Sequence, residues 1–203
     1  MTMSTPMMPA TETDTSPASA ADGVARRLEQ ACAGQRKPPL HLWHPALSGD
    51  MDMVIRRNGD WVHEGTVIKR QGLVNIFSSI LRREVDDHYY LVTPVEKWRI
   101  RVDDAPFLIT TVSREQHEGV DCVLLTCNTG EVIVAGRDHP VWLEERNGEP
   151  APYVLVRDRL HALIGRNAWY ELLSWCEDET LADGEHVLHL ASAGQRFEMG
   201  RYR

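Results

Sequence analysis

The chain is 203 residues long, 42% hydrophobic, 26% charged and only 7% aromatic, a length that suits one large domain or two small ones and needs no staple to fold. Thirty acidic against 22 basic residues leave a net charge of −8, which argues against bulk binding to nucleic acid or an anionic membrane, because both need a basic face for counterion release. No apolar run approaches the roughly 18 residues of a membrane span. Four scattered cysteines, Cys32, Cys122, Cys127 and Cys176, make neither a disulfide framework nor a CxxC clamp, so reduced thiols in a cytoplasmic protein are expected.

Residues Met1 to Ala21 are Met, Thr, Ser, Pro and Ala with almost no large branched side chains. They lack the basic start and apolar core of a secretory leader and predict a disordered tail. A short helix is expected from Asp22, ended by Gly34, before Lys37-Pro38-Pro39 leads into the folded part. Met51, Met53 and Ile55 alternate with Asp50, Asp52 and Arg56 as a half-buried strand, and Asn58-Gly59 turns it into Trp61-Val62-His63. A helix is predicted over about Arg70 to Arg83, with Leu73, Val74, Phe77, Ile80 and Leu81 on one face. Strands follow at Tyr89 to Val92, Trp98 to Val102, Phe107 to Val112, Val120 to Cys127 and Glu131 to Ala135.

The pattern then restarts. Arg146-Asn147-Gly148 echoes Arg57-Asn58-Gly59, Tyr153 to Val156 read as a strand, and Leu160, Leu163 and Ile164 form an apolar helix face that Gly165 interrupts before Trp169, Leu172 and Leu173. A closing hairpin is expected from Val187 to Leu190 and Arg196 to Met199. The expectation is an α+β fold of internally duplicated hairpin-helix-hairpin units: a tail at 1–37, an N-terminal α+β unit at 38–106 and a β-rich α+β unit at 107–203.

Lys69 and Arg70 sit where the first helix should begin, and Arg157 and Arg159 flank the expected start of the second. Cations at a helix N-terminus oppose its dipole, and such violations concentrate at functional sites, where they can seat a phosphate or carboxylate. A second cluster joins Arg82, Arg83 and Glu84 to Thr93, Glu96, Lys97 and Trp98. Arg and Lys there would clamp an anion while Tyr89, Tyr90 or Trp98 stacks on a planar ring. The competing reading is charge balancing on a solvated face. His41 and His44 lack the third ligand and spacing of a zinc site, so no metal and no cofactor are predicted. No GxSxG, GxxxxGK[ST] or GxGxxG motif is present, and no catalytic residue is assigned.

Several stretches carry a resemblance: Leu42-Trp43-His44-Pro45, Gly49-Asp50-Met51-Asp52-Met53, Ser78 to Glu84, Tyr89 to Trp98, and Asp104-Ala105-Pro106-Phe107. In that order they resemble the bacterial Domain of Unknown Function 1285 family. The resemblance implies an internally duplicated fold with a C-terminal half superficially like pleckstrin-homology domains. It also implies a pocket for an anionic, nucleotide-like ligand where the two units meet, a role in signal transduction, and no established catalysis. Its pocket residues, carried over by motif, are Arg82, Arg83, Glu84, Thr93, Glu96, Lys97 and Trp98; Arg70 is added from the helix-start argument. The expected function is therefore a non-catalytic ligand-binding or regulatory protein. The alternative is a hydrolase or transferase acting on the same ligand with Glu84 or Glu96 as general base.

Overall fold

The structure, a computed structural model, describes residues 38–117, 120–146 and 148–203. The tail and short helix expected within residues 1–37 lie outside the described residues. After a single helical turn at Leu40–Leu42, the first half runs β1 (Leu47–Ile55), β2 (Trp61–His63), β3 (Thr66–Val67), α1 (Gln71–Ser79), β4 (Leu81–Arg83), β5 (Tyr89–Val92) and β6 (Lys97–Val102). Its six strands form one sheet in the order β3-β2-β1-β6-β5-β4, antiparallel except where β1 and β6 run side by side in parallel.

The second half comprises β7 (Phe107–His117), β8 (Val120–Cys127), β9 (Val132–Val134), β10 (Val141–Arg146), β11 (Glu149–Arg157), β12 (Leu160–Ile164), α2 (Arg166–Ser174), β13 (Glu177–Thr180), β14 (His186–Ser192) and β15 (Gln195–Tyr202). A six-stranded sheet, β10-β11-β12-β7-β8-β9, again has one parallel pair at its centre, β12 with β7, and β13-β14-β15 form a separate three-stranded sheet. Ser192 pins that small sheet to the larger one: its Oγ donates to Ala135 O at 2.7 Å and accepts from Val123 N at 2.8 Å.

The expectation of a helix-rich α+β duplication is overturned. Strands hold 54% of the described residues, in three sheets, and the two helices are nine residues each. The order of three strands, a helix and three strands does occur twice, but the sheets are assembled differently. In the first half both strand triplets join one sheet, whereas in the second the triplet after the helix stands alone. Those two separate sheets also replace the pleckstrin-homology-like half that the resemblance implied. The physical reasons are local. Ser78 and Ser79 turn their hydroxyls back onto the carbonyls of Asn75 and Ile76, which competes with helix continuation, so α1 stops and Leu81 to Arg83 enter the sheet against β5. Leu160 to Ile164 are buried without exception, and an apolar run covered on both faces carries no period by which to tell strand from helix.

One apolar cluster spans both halves: Met53, Trp61 and Phe77 from the first, Phe107, Ile164, Leu172 and Met199 from the second. Trp61 stacks on Phe77 of α1 with ring centroids 6.2 Å apart. Polar contacts fasten the seam around this core. The Asn128 side chain accepts from Leu108 N at 3.2 Å and donates to Gly59 O at 3.2 Å. Gly59 has a positive φ of 86°, and a Cβ there would stand 2.8 Å from the Asn128 amide, so the β1–β2 turn reaches the second half only because it carries glycine. Arg157 donates to Ser78 O at 2.6 Å, pairs with Glu131 and lies 4.9 Å over the Phe107 ring. Arg157→Met keeps the aliphatic stem and removes the charge. It should lower unfolding free energy by about 2 kcal/mol in urea titrations, the cost of losing a half-buried charged hydrogen bond. A loss below about 0.5 kcal/mol would show that the clamp is ornamental.

Candidate functional site

Strand pairing divides the expected anion cluster between two faces of the first sheet. In β4, Arg82 stands opposite Tyr90 while Leu81 and Arg83 stand opposite Leu91 and Tyr89. Residues opposite one another share a face and neighbours alternate. Lys97 and Arg99 of β6 therefore lie with Arg82 and Tyr90, whereas Trp98 lies with Arg83, Tyr89 and Leu91. The expected partners Arg83 and Lys97 are thus on opposite sides of the sheet.

On the Arg82 face the cations are already engaged. Glu84 accepts from Arg82 on one carboxylate oxygen and from Lys97 Nζ at 3.0 Å on the other. Arg82 also donates to Trp43 O at 2.9 Å and Leu40 O at 3.3 Å, holding down the chain that precedes β1. Lys97 lies 4.8 Å over the Tyr90 ring, and Tyr90 donates to Asp86 at 2.6 Å. Burial pushes the Glu84 carboxyl up, but hydrogen bonds from Lys97 and Arg82 and the charges behind them outweigh it and hold it below its ordinary range. The hydrogen bond to Asp86, with burial behind it, pushes the Tyr90 hydroxyl up to about 12.

On the other face Arg83 pairs with Asp87 at 3.3 Å and lies 5.4 Å over Tyr89. Asp87 is also held by Arg159 of the β11–β12 turn at 2.6 Å, and Arg159 donates to Glu84 O at 2.5 Å, so this set is another clasp across the seam. Thr93 is buried and spends its hydroxyl on its own turn, accepting from Glu96 N at 3.0 Å. Glu96 is half-buried in the same turn. Trp98 packs against the core and against Gly49, where a Cβ would meet its ring at 3.3 Å. Arg70 is exposed as the residue before α1. The expected residues thus form braces of the fold more than one open pocket.

The recesses lie along the seam. One, of about 830 Å³, is lined by Ser78, Glu131, Arg157 and Asp158 among others; two carboxylates against one guanidinium leave it unattractive to an anion. Another, of about 840 Å³, lies between the β1–β2 turn, the β10–β11 hairpin and the start of α2. Arg57, Arg146 and Arg166 line it against the single carboxylate of Glu149, with Trp169 and Tyr170 on its wall. Its size suits a small-molecule ligand. Arg166 opens α2 with no acidic residue in the first turn and no side-chain cap on the helix, and it carries no counter-ion among the described residues. Gly165 makes the tight strand-to-helix junction: its N–H donates to Ile109 O at 2.9 Å, and a Cβ would stand 2.8 Å from that oxygen.

Beneath the arginines is a buried carboxylate. Asp104, with 6% of its side chain exposed, pairs with Arg57 at 3.2 Å and Arg146 at 3.7 Å. It also accepts from the Tyr153 hydroxyl at 2.7 Å. Burial, then the Asp104 hydrogen bond, pushes Tyr153 up to about 12, so it stays a donor at neutral pH. Nearby His161 stacks edge-on against Tyr153 with centroids 5.3 Å apart; burial, then the Arg83 charge, pushes its proton affinity down. Sequence reasoning did not assign Arg57, Arg146 or Arg166 to a site. The echo of Arg57-Asn58-Gly59 in Arg146-Asn147-Gly148 was the available sign, since the arginines of both turns face this one cleft. Among the described residues no group of three or more His, Cys, Asp or Glu is placed to hold a metal ion.

The Glu84 brace sets a pH dependence. Its carboxyl is held below the ordinary 4.5 in the fold, so its stabilisation is present above that value and is lost as pH falls through the folded one. Denaturant midpoints from about pH 7 to about pH 3 should therefore fall less steeply for Glu84→Gln than for the parent. Parallel curves would remove Glu84 from the acid response.

The chain was compared with known proteins. The family description "Domain of unknown function (DUF1285), N-terminal domain" matches residues 38–105, and "Protein of unknown function (DUF1285), C-terminal domain" matches residues 106–199. No curated protein matches. A crystal structure of a DUF1285 family protein from Silicibacter pomeroyi DSS-3 at 2.50 Å resolution is 40% identical, covering 90% of this chain and 93% of that one with a TM-score of 0.75. Another DUF1285 family protein, from Shewanella baltica OS155 at 1.40 Å resolution, is 28% identical over 61% of this chain and 91% of that one, with a TM-score of 0.49. With both halves matched in order and a similar structure at 40% identity, this chain belongs to the DUF1285 family.

Proposed function

We propose that the protein is a non-catalytic, regulatory module that binds an anionic, nucleotide-like small molecule in the cleft between its two halves. The observation that carries this reading is the convergence of Arg57, Arg146 and Arg166 on one recess with Trp169 and Tyr170. Guanidinium forks take phosphate oxygens in pairs, an uncapped helix start adds N–H donors, and an aromatic wall gives a planar ring a stacking surface. In a chain of net charge −8, a local basic focus is also what captures an anion that the remaining surface repels.

Asp104 supports binding over turnover. It pairs with Arg57 and Arg146 through one contact each and does not itself line the cleft, so it keeps the two guanidinium groups beside the recess, which lowers the cost of ordering them on binding. A hydrolase or transferase would need a base of raised proton affinity within reach of its substrate. Glu84 is instead held below its ordinary range by two cations. Binding without turnover is the chemistry of a sensor, and a cytoplasmic role in signal transduction is the use we assign to it. Among the described residues no helix is long and apolar enough to cross a membrane.

Pyrophosphate, at about 100 times its dissociation constant, should stabilise the full chain by about 2.7 kcal/mol in thermal melts, and the shift should shrink with added salt. Arg166→Ala should abolish most of that shift. Lys97→Ala, whose cation is committed to Glu84, should keep it. Loss on Lys97→Ala with retention on Arg166→Ala would move the site back to the Arg82 face.

A further inference from the structure

One sheet face of the second half is open. Ile133 of β9, Val123 and Leu125 of β8 and Val112 of β7 point into the core, so the residues that alternate with them point out. Register sets Val132 opposite Thr126 and Val134 opposite Leu124, and sets Thr126 and Leu124 opposite Thr111 and Ser113. These side chains share the outer face, and none is charged. Val132 is 53% exposed and Val134 39%. β9 is also the last strand of its sheet. Edge strands are ordinarily guarded by charge, proline or a covering element, and Val132-Ile133-Val134 carries neither charge nor proline.

The chain joins the fold at the rim of this face. Pro38, Leu40 and His41 line the same recess of about 830 Å³ as Glu131, Val132 and Asp158, and 37 residues precede Pro38. Of these, Val24, Leu28, Ala31 and Cys32 have the spacing of one helical face. Arg26, Arg27, Arg36 and Lys37 make the stretch from Asp22 to Lys37 basic against Asp22 and Glu29, in a chain of net charge −8. The rim has the opposite sign: Glu131 and Asp158 outnumber Arg157, and Asp158 is exposed with no counter-ion among the described residues. Lengths also match. Gly34 is four residues from Pro38, a reach of at most about 14 Å. A helix from Asp22 to Gly34 would be about 20 Å long, the length of roughly six residues of strand, and β8 has eight.

We propose that the stretch from Asp22 to Lys37 docks on the outer face of β7, β8 and β9 of its own chain. Its apolar stripe covers Val132, Val134 and Leu124, and Arg36 and Lys37, next to Pro38, lie beside Glu131 and Asp158. The tether favours this occupant, because a linked segment meets its site at a high effective concentration without any further contact. Docking also covers the open edge of β9.

Hydrogen exchange on the full chain is the test. Amides of residues 24–32 should exchange at least about tenfold slower than in an unstructured chain. Leu28→Asp and Val132→Lys, on the two sides of the contact, should each return them to the unstructured rate, while slow exchange in β12 reports an intact fold in both. Val85→Lys, at a position 93% exposed elsewhere on the surface, should leave the protection in place. Unstructured rates in the parent chain, or protection that survives Val132→Lys in an intact fold, overturn the proposal. Protection that falls on dilution, with dimers in sedimentation, gives the face to a second copy of the chain and overturns it as well.

Discussion

Burial of the cluster that runs from Met53, Trp61 and Phe77 to Phe107, Ile164 and Leu172 constrains everything else in the molecule. Each large side chain in it gains roughly 1.5–3 kcal/mol by leaving water, and the cluster draws on both halves. Separating them would expose part of this cluster to water, which opposes separation. The halves are therefore held together at the seam, and side chains from both line the recesses along it. Asn128, Arg157 and Arg159 add direction to this non-directional attraction, each joining a turn of one half to backbone or carboxylate of the other.

Recesses at a seam can gather ligand chemistry, since side chains from both halves meet there. The two recesses of similar volume, about 840 and 830 Å³, are separated by charge rather than size. In the first, Arg57 and Arg146 are paired with Asp104 and Arg146 also with Glu144, which leaves Arg166 as the cation without a counter-ion among the described residues, while Glu131 and Asp158 outnumber Arg157 in the second. Asp104 sets the strength of the first: a buried carboxylate under Arg57 and Arg146 orients them and tempers their charge. Both helices also begin on an arginine, Arg70 before α1 and Arg166 at the start of α2. α2 begins at the arginine cleft.

Much of the strand layout was legible. Alternation in Met51 to Ile55, the Asn58-Gly59 turn and the strand runs Tyr89 to Val92 and Trp98 to Val102 are local properties, and β1, β2, β5 and β6 stand where they pointed. What failed was anything decided by distant contacts. Leu81 to Arg83 continue an apolar helical period, yet β5 claims them as an edge strand. Leu160 to Ile164 are buried throughout, His161 included, and only their place between β11 and β7 makes them a strand. Glu177 to Thr180 are polar and exposed, so β13 had no hydrophobic pattern to show. The spatial grouping of the charged cluster was not legible for a related reason. A run of charges close in sequence was read as close in space, whereas alternation across a strand puts Arg83 and Lys97 on opposite faces. The arginines that do converge are about 90 and 20 residues apart in sequence and meet through tertiary structure alone.

A crystal structure of the full chain grown with a nucleoside diphosphate tests the seam assignment most directly. It should place the diphosphate oxygens within hydrogen-bond distance of Arg166 and of Arg57 or Arg146. A diphosphate bound against Arg82 and Lys97, or an empty arginine cleft at concentrations that saturate binding in solution, would contradict it.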